Sequence, residues 1–232
     1  MSKQVIILFG QPGAGKGIQA ELLSEKLGCY HLESSKVIEH CLKHESPDKV
    51  FTIDGKDYKV ADEIKNWDAG NLTSPPFVVQ LMLQKIKDLV ADDKSIIFSG
   101  NPRSAYEAEK EIPILKELFG LENITFILLE ISSDTTKFRN SHRRICELIR
   151  HSILFSPETE KLTLCPLDGS KLVNRKGLDD PKIIENRLII YKEQTYPAIK
   201  VIEKAGITIH KINAENSVAE VHEEILKVLG QE

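Results

Sequence analysis

Residues 5–20, Val-Ile-Ile-Leu-Phe-Gly-Gln-Pro-Gly-Ala-Gly-Lys-Gly-Ile-Gln-Ala, constrain this chain more than any other stretch. Val5 to Phe9 is an unbroken apolar run, the pattern of a strand buried on both faces of a parallel sheet. A glycine-rich turn follows from Gly10 to Gly15. Then comes Lys16, and helical periodicity runs to about Leu27. Strand, glycine loop with lysine and helix together make a holder for a polyphosphate. Around Gly13, Ala14 and Gly15, backbone N–H groups can converge on phosphate oxygens. The helix start adds the positive end of its dipole, and Lys16 adds a point charge. The strict form of the loop carries Ser or Thr after the lysine to hold Mg2+, whereas Gly17 and Ile18 stand here. The plainer reading is an ordinary strand–turn–helix with a surface lysine. The position of the loop on the first strand of an α/β chain favours the polyphosphate.

Four more apolar runs, at 29–32, 95–99, 123–131 and 207–212, predict strands. Helices are expected at 34–42 (capped by Ser34 or Ser35), 60–68, 75–90 and 105–119. Another starts near Asp134 and carries Arg139, Arg143 and Arg144. A long one spans 181–204, and the last runs from a Ser217 cap to 229. Residues 44–60 are polar, with Ser-Pro and Asp-Gly turn signals, and predict a small insertion containing a hairpin. From 146 to 180 periodicity is lost. Strands alternating with helices predict an α/β fold, a five-stranded parallel sheet with helices on both faces. In such sheets ligands sit beyond the carboxyl ends of the strands. Gly10–Lys16, Glu33–Lys36, Gly100–Arg103 and Ser132–Arg139 all follow strand ends, so four segments should meet at one cleft.

A formal net charge of −4 over 232 residues argues against a dedicated nucleic-acid binder. No run of apolar residues is long enough to span a membrane. Four cysteines, two of them in the aperiodic stretch, do not form a secreted disulfide scaffold. The chain enters a core strand at once, without a leader, so a cytoplasmic monomer is expected.

With these residues in view, the chain resembles the adenylate kinase group of nucleoside monophosphate kinases over nearly its whole length. Gly-Gln-Pro-Gly-Ala-Gly-Lys-Gly-Ile-Gln-Ala is similar to the family's G-x-P-G-x-G-K-G-T-Q-A, with only Ile18 off pattern. The family's own loop has glycine where Gly17 stands. Asp-Ala-Gly-Asn-Leu (68–72) resembles its G-x-L segment, and Gly-Asn-Pro-Arg-Ser (100–104) its D-G-F-P-R-T. Arg139 and Arg143 fit R-x-x-x-R, and Thr195 with Pro197 fits T-x-P.

The resemblance implies one kinase domain in three parts. These are a core at 1–33, 77–143 and 181–232, an NMP-binding flap at 34–76 and a long lid at 144–180. It implies transfer of the γ-phosphoryl group of ATP, with Mg2+, to an NMP. It gives Lys16, Arg103, Arg143, Arg175 and Arg187 the catalytic cation positions, with Arg187 reached only through a one-residue gap. ATP falls to Gly13, Ala14, Gly15, Lys16, Gly17, Ile18, Arg139 and Arg143. The acceptor falls to Ser34, Lys36, Glu39, Asn71, Leu72, Thr73, Gly100, Arg103, Glu107, Arg175 and Arg187. Asp179 and Asp180 match an acidic pair that orients the lid, and an N-cap before Pro181 is an equal reading.

The departures cluster around the acceptor. Ser99 stands where the family has an acidic residue that helps hold the Mg2+ shell. Glu39 stands where an arginine would clamp the acceptor phosphate, and Lys36, three residues earlier, is expected to supply that charge. Glu107 replaces the glutamine that reads adenine. An ionised carboxylate suits guanine's two donors, so GMP stands beside AMP as the acceptor. The plainer expectation for Glu107 is a solvent-facing residue on an early helix turn.

The family's zinc-bearing lids place four ligands where this chain has Cys146, Ile149, Cys165 and Asp168. Three of these can ligate zinc, and His151 can stand in for Ile149. A metal-free lid with two idle thiols is the working expectation. Two other functions stay open: a non-catalytic ATP-binding relative, and a kinase for a different small acceptor.

Overall fold

The computed structural model describes residues 3–69, 71–174 and 179–231. Arg175, and Gly70 of the 68–72 match, lie outside the described residues. The core begins with β1 (Val5–Gly10), α1 (Lys16–Leu27) and β2 (Tyr30–Glu33). There follow α2 (Ser34–His44), an antiparallel hairpin of β3 (Val50–Ile53) and β4 (Lys56–Lys59), and α3 (Val60–Asp68). The core resumes with α4 (Pro75–Ala91), β5 (Ile96–Ser99), α5 (Ala105–Phe119), β6 (Ile124–Glu130) and α6 (Ser133–Ser141). Next come β7 (Arg144–Cys146), β8 (Ser152–Ile153), α7 (Pro157–Glu160) and β9 (Leu172–Val173). The chain closes with α8 (Pro181–Ile190), α9 (Ala198–Lys204), β10 (Ile209–Asn213) and α10 (Val218–Val228).

The expected sheet is present: five parallel strands in the order β10-β6-β1-β5-β2. All six residues of β1 are buried, because this central strand is covered on both faces. Alternation splits its side chains. Val5, Ile7 and Phe9 pack with Phe98, Phe126 and the apolar faces of α4, α5 and α9. Ile6 and Leu8 pack with Ile97, Ile127, Leu129 and the apolar faces of α1 and α10. β1 lies between β5 and β6, so the chain departs in opposite directions on its two sides. A crevice opens at the carboxyl end of β1 for that reason.

Three expectations needed correction. α2 has Glu33 as its N-cap, without a side-chain cap bond. The two serines expected to cap it are engaged elsewhere: Ser34 Oγ donates to the Gly100 carbonyl at 3.0 Å and Ser35 Oγ to Glu33 Oε1 at 2.5 Å. α6 stops at Ser141, so Arg143 lies past the helix and Arg144 in a strand. The long helix over 181–204 is interrupted by a π turn at Tyr191–Thr195, where the Tyr196 N–H reaches back to the Tyr191 carbonyl at 2.7 Å. Pro197 accounts for the break. It has no N–H, and its ring crowds the preceding turn of an ideal helix.

Residues 144–173 hold a small antiparallel sheet, β8-β7-β9, with strands too short to show a period. Among the described residues, no helix is long and apolar enough to cross a membrane.

Candidate functional site

The glycine loop forms the floor of the crevice. Gly13 and Gly15 have φ of 88° and 86°, a region that residues with a Cβ rarely occupy. At Gly13 a Cβ would also lie 2.7 Å from Asn140 Nδ2. Ala14 is buried, Gly17 is exposed and Ile18 is half-buried at the start of α1. Lys16 Nζ folds back over the loop and donates to the carbonyls of Gly10 at 2.6 Å and Gln11 at 2.8 Å. Its pKa is drawn down to about 7, first by desolvation and then by the positive charges of Arg187, Arg103 and Arg143. Lys16, Arg103, Arg143 and Arg187, from four distant stretches of sequence, therefore share one neighbourhood. Arg139 joins the loop from α6, donating from Nη1 to the carbonyls of Ala214 at 2.8 Å and Gly13 at 3.5 Å.

On the β5 side, the Gly100 carbonyl accepts from both Ser34 Oγ and Arg103 Nε, at 3.0 and 2.7 Å. That shared acceptor ties the start of α2 to the arginine. Lys36 is exposed and pairs with Glu33 at 3.3 Å. Glu39 pairs with Lys43 at 2.6 Å, so its charge is answered one turn along the helix. Thr73 is buried, Leu72 half-buried and Asn71 exposed in the segment between α3 and α4. Asp180 caps α8, its Oδ1 accepting from the Lys182 N–H at 2.9 Å, and Asp179 beside it is buried.

Glu107 does not face solvent. It is 3% exposed, Oε2 accepts from the Arg103 N–H at 2.7 Å and Oε1 accepts from Ser104 Oγ at 3.1 Å. Burial pushes its carboxyl up, partly opposed by that N–H and by the charge of Arg103. One turn on, Glu111 is fully enclosed and accepts from Asn101 Nδ2. Burial, with the neighbouring Glu107 carboxylate, raises Glu111 well above the ordinary range. Glu111 Oε1 and Asn101 Oδ1 are buried without a hydrogen-bond partner. The sequence reading passed over this pair. The four-residue step from Glu107 to Glu111 was its only trace, since it places both carboxyls on one helix face.

The small sheet brings together Cys146, His151, Cys165 and Asp168, whose donor atoms all lie within 4.8 Å of one another. Cys165 Sγ is 3.8 Å and Asp168 Oδ2 is 3.7 Å from His151 Nδ1. Asp168 Oδ2 is buried and has no hydrogen-bond partner. Arg150, at φ 63°, turns the chain so that His151 enters the cluster, while Ile149 is 59% exposed. Four donors of these types this close together can hold a metal ion.

The geometry can be set beside known proteins. The adenylate kinase family model matches residues 8–207. The chain is 31% identical to the adenylate kinase of Methanothrix thermoacetophila over 229 residues, 97% of this chain and 98% of that one. It is 32% identical to the adenylate kinase of Pelobacter propionicus over 228 residues, covering 97% and 96%. With the adenylate kinase of Caldicellulosiruptor saccharolyticus it shares 29% over 231 residues, covering 98% and 99%.

Proposed function

Because the chain belongs to the adenylate kinase family of nucleoside monophosphate kinases, we propose that it transfers the γ-phosphoryl group of MgATP to AMP. The observation that carries this reading is the gathering of Arg103, Arg143 and Arg187 around Lys16 over the glycine loop. Phosphoryl transfer asks little covalent help of a protein. It needs donor and acceptor held in line and the spreading negative charge neutralised. In this proposal Gly13 to Ile18, Arg139 and Arg143 hold ATP. Arg103 and Arg187, with Arg175, meet the group in transit. Arginine suits that task because its planar fork engages two phosphate oxygens at once. Ser34, Lys36, Glu39, Asn71, Leu72, Thr73, Gly100 and Glu107 line the acceptor side. Mg2+ would arrive with the nucleotide and neutralise phosphate charge.

The choice of AMP follows the named relatives, which are adenylate kinases. Both Glu107 oxygens accept hydrogen bonds, from the Arg103 N–H and from Ser104 Oγ, so the carboxyl holds the arginine loop in place. An ionised carboxylate would favour guanine, so GMP is the competing acceptor in the test that follows.

A coupled assay over all nucleoside monophosphates tests the reading. AMP should be the best acceptor, and Lys16→Met should lower turnover at least about 100-fold while the far-UV spectrum and melting point hold. Faster turnover of GMP would overturn the acceptor. ATP binding with no turnover would make the chain a non-catalytic relative, and retained turnover in Lys16→Met would overturn the site.

The lid cluster supports a second element of the reading: a structural zinc ion held by Cys146, His151, Cys165 and Asp168. The orphaned Asp168 Oδ2 is the observation behind it. His151 would complete the four where Ile149 cannot. The ion would brace the small sheet and take no part in the chemistry.

A further inference from the structure

A cleft built to bind polyphosphate holds a carboxylate whose presence needs a reason. Glu33 ends β2 and is the register partner of Ser99 at the end of β5. Both lie on the sheet face that α1 covers. Their strand neighbours Leu32 and Phe98 belong to the opposite core, and the residues below them, His31 and Ile97, are themselves register partners. Ser99 Oγ is 2.6 Å from His31 Nε2, so that strand end carries a hydroxyl already engaged and no negative charge.

Glu33 carries the charge instead. Its carboxyl is shifted below the ordinary range. Burial opposes the shift, but the Ser35 hydroxyl and the Lys36 ammonium outweigh it. The Ser35 bond to Oε1, at 2.5 Å, and Lys36, 3.3 Å from Oε2, hold the group in place. Across the sheet Glu33 pairs in register with Ser99, and Ser99 with Leu8 of β1, two residues before the glycine loop begins at Gly10, so Glu33 stands at the crevice end of the sheet.

An ionised carboxylate there repels a bare triphosphate. It becomes favourable when a divalent cation, or the water around one, lies between the two anions, because Mg2+ is a hard cation that keeps several waters and takes carboxylate oxygen. We propose that Glu33 is the positioning residue for the Mg2+ of the bound nucleotide, accepting from its water shell at the strand end next to Ser99. The assignment rests on the kinase reading above. Ser35 and Lys36 then have a stated task, which is to keep the carboxylate ionised and aimed.

The test is a binding measurement on the full chain. Mn2+, read by electron paramagnetic resonance, is titrated into protein with ATP, and ATP affinity is measured with and without Mg2+. Glu33→Gln should raise the Mn2+ midpoint of the ATP complex about tenfold and leave ATP affinity without divalent cation equal or tighter. Ser99→Asp in the Glu33→Gln background should restore the midpoint. A purely structural role would lower both affinities together and resist that rescue. An unchanged midpoint in Glu33→Gln, or equal loss with and without metal, would overturn the assignment while leaving the kinase reading intact. Failure of the wild-type protein to bind ATP at all would overturn both.

Discussion

Lys16 shows how far one residue's chemistry is set by its surroundings. Desolvation and three guanidinium groups take its pKa from 10.5 to about 7. A bound triphosphate favours the charged form and pushes the value back up. Between about pH 7 and the restored value, ATP binding should therefore take up close to one proton, and affinity should fall as pH rises through that window. Below pH 7 the ammonium is already charged and uptake should vanish. Calorimetry at pH 8 and pH 6, in buffers of different ionisation enthalpy, measures this, and equal enthalpies in all buffers at pH 8 would refute it. The individual residues were legible where chemistry and spacing coincide. Lys16 and Arg103 announce themselves by the loops they sit in. Glu33, Asn101 and Glu111 did not, because their meaning depends on neighbours across the sheet or along a buried helix face.

At the scale of elements, the apolar runs and periods recovered the sheet strands and most helices. The misses have physical causes. Two-residue strands such as β8 and β9 carry no period, so the small sheet after Arg144 was invisible. The expected caps on α2 failed because Ser34 and Ser35 bond to Gly100 and Glu33. All four residues of the Cys146, His151, Cys165 and Asp168 cluster were named from the sequence, with His151 standing in for Ile149, but only the turn at Arg150 shows that His151 points inward. If zinc braces this sheet, elemental analysis of protein purified without chelator should give about one zinc per chain. Chelation should lower the melting temperature, and His151→Ala should lower zinc content with little change in the far-UV spectrum. Zinc well below one per chain in the wild type would refute the site.

For the whole molecule, strand order does the assembling. Because β1 lies between β5 and β6, the loops after three strands open into one crevice, and α8 brings Arg187 from the far end of the chain to face it. Alternating strands and helices made that convergence predictable, though no single motif contains it. The same arrangement has an electrical consequence. The chain carries a formal net charge of −4, yet Lys16, Arg103, Arg143 and Arg187 gather in one crevice. A cleft lined by one sign of charge draws an oppositely charged ligand before contact, even on a body whose net charge is negative. Stopped-flow association of a fluorescent ATP analogue should therefore slow as ionic strength rises, as for oppositely charged partners. A rate that stays flat or climbs would mean that the far field of the body prevails. Capture of the nucleotide would then begin at a distance, governed by the salt of the medium before any hydrogen bond has formed.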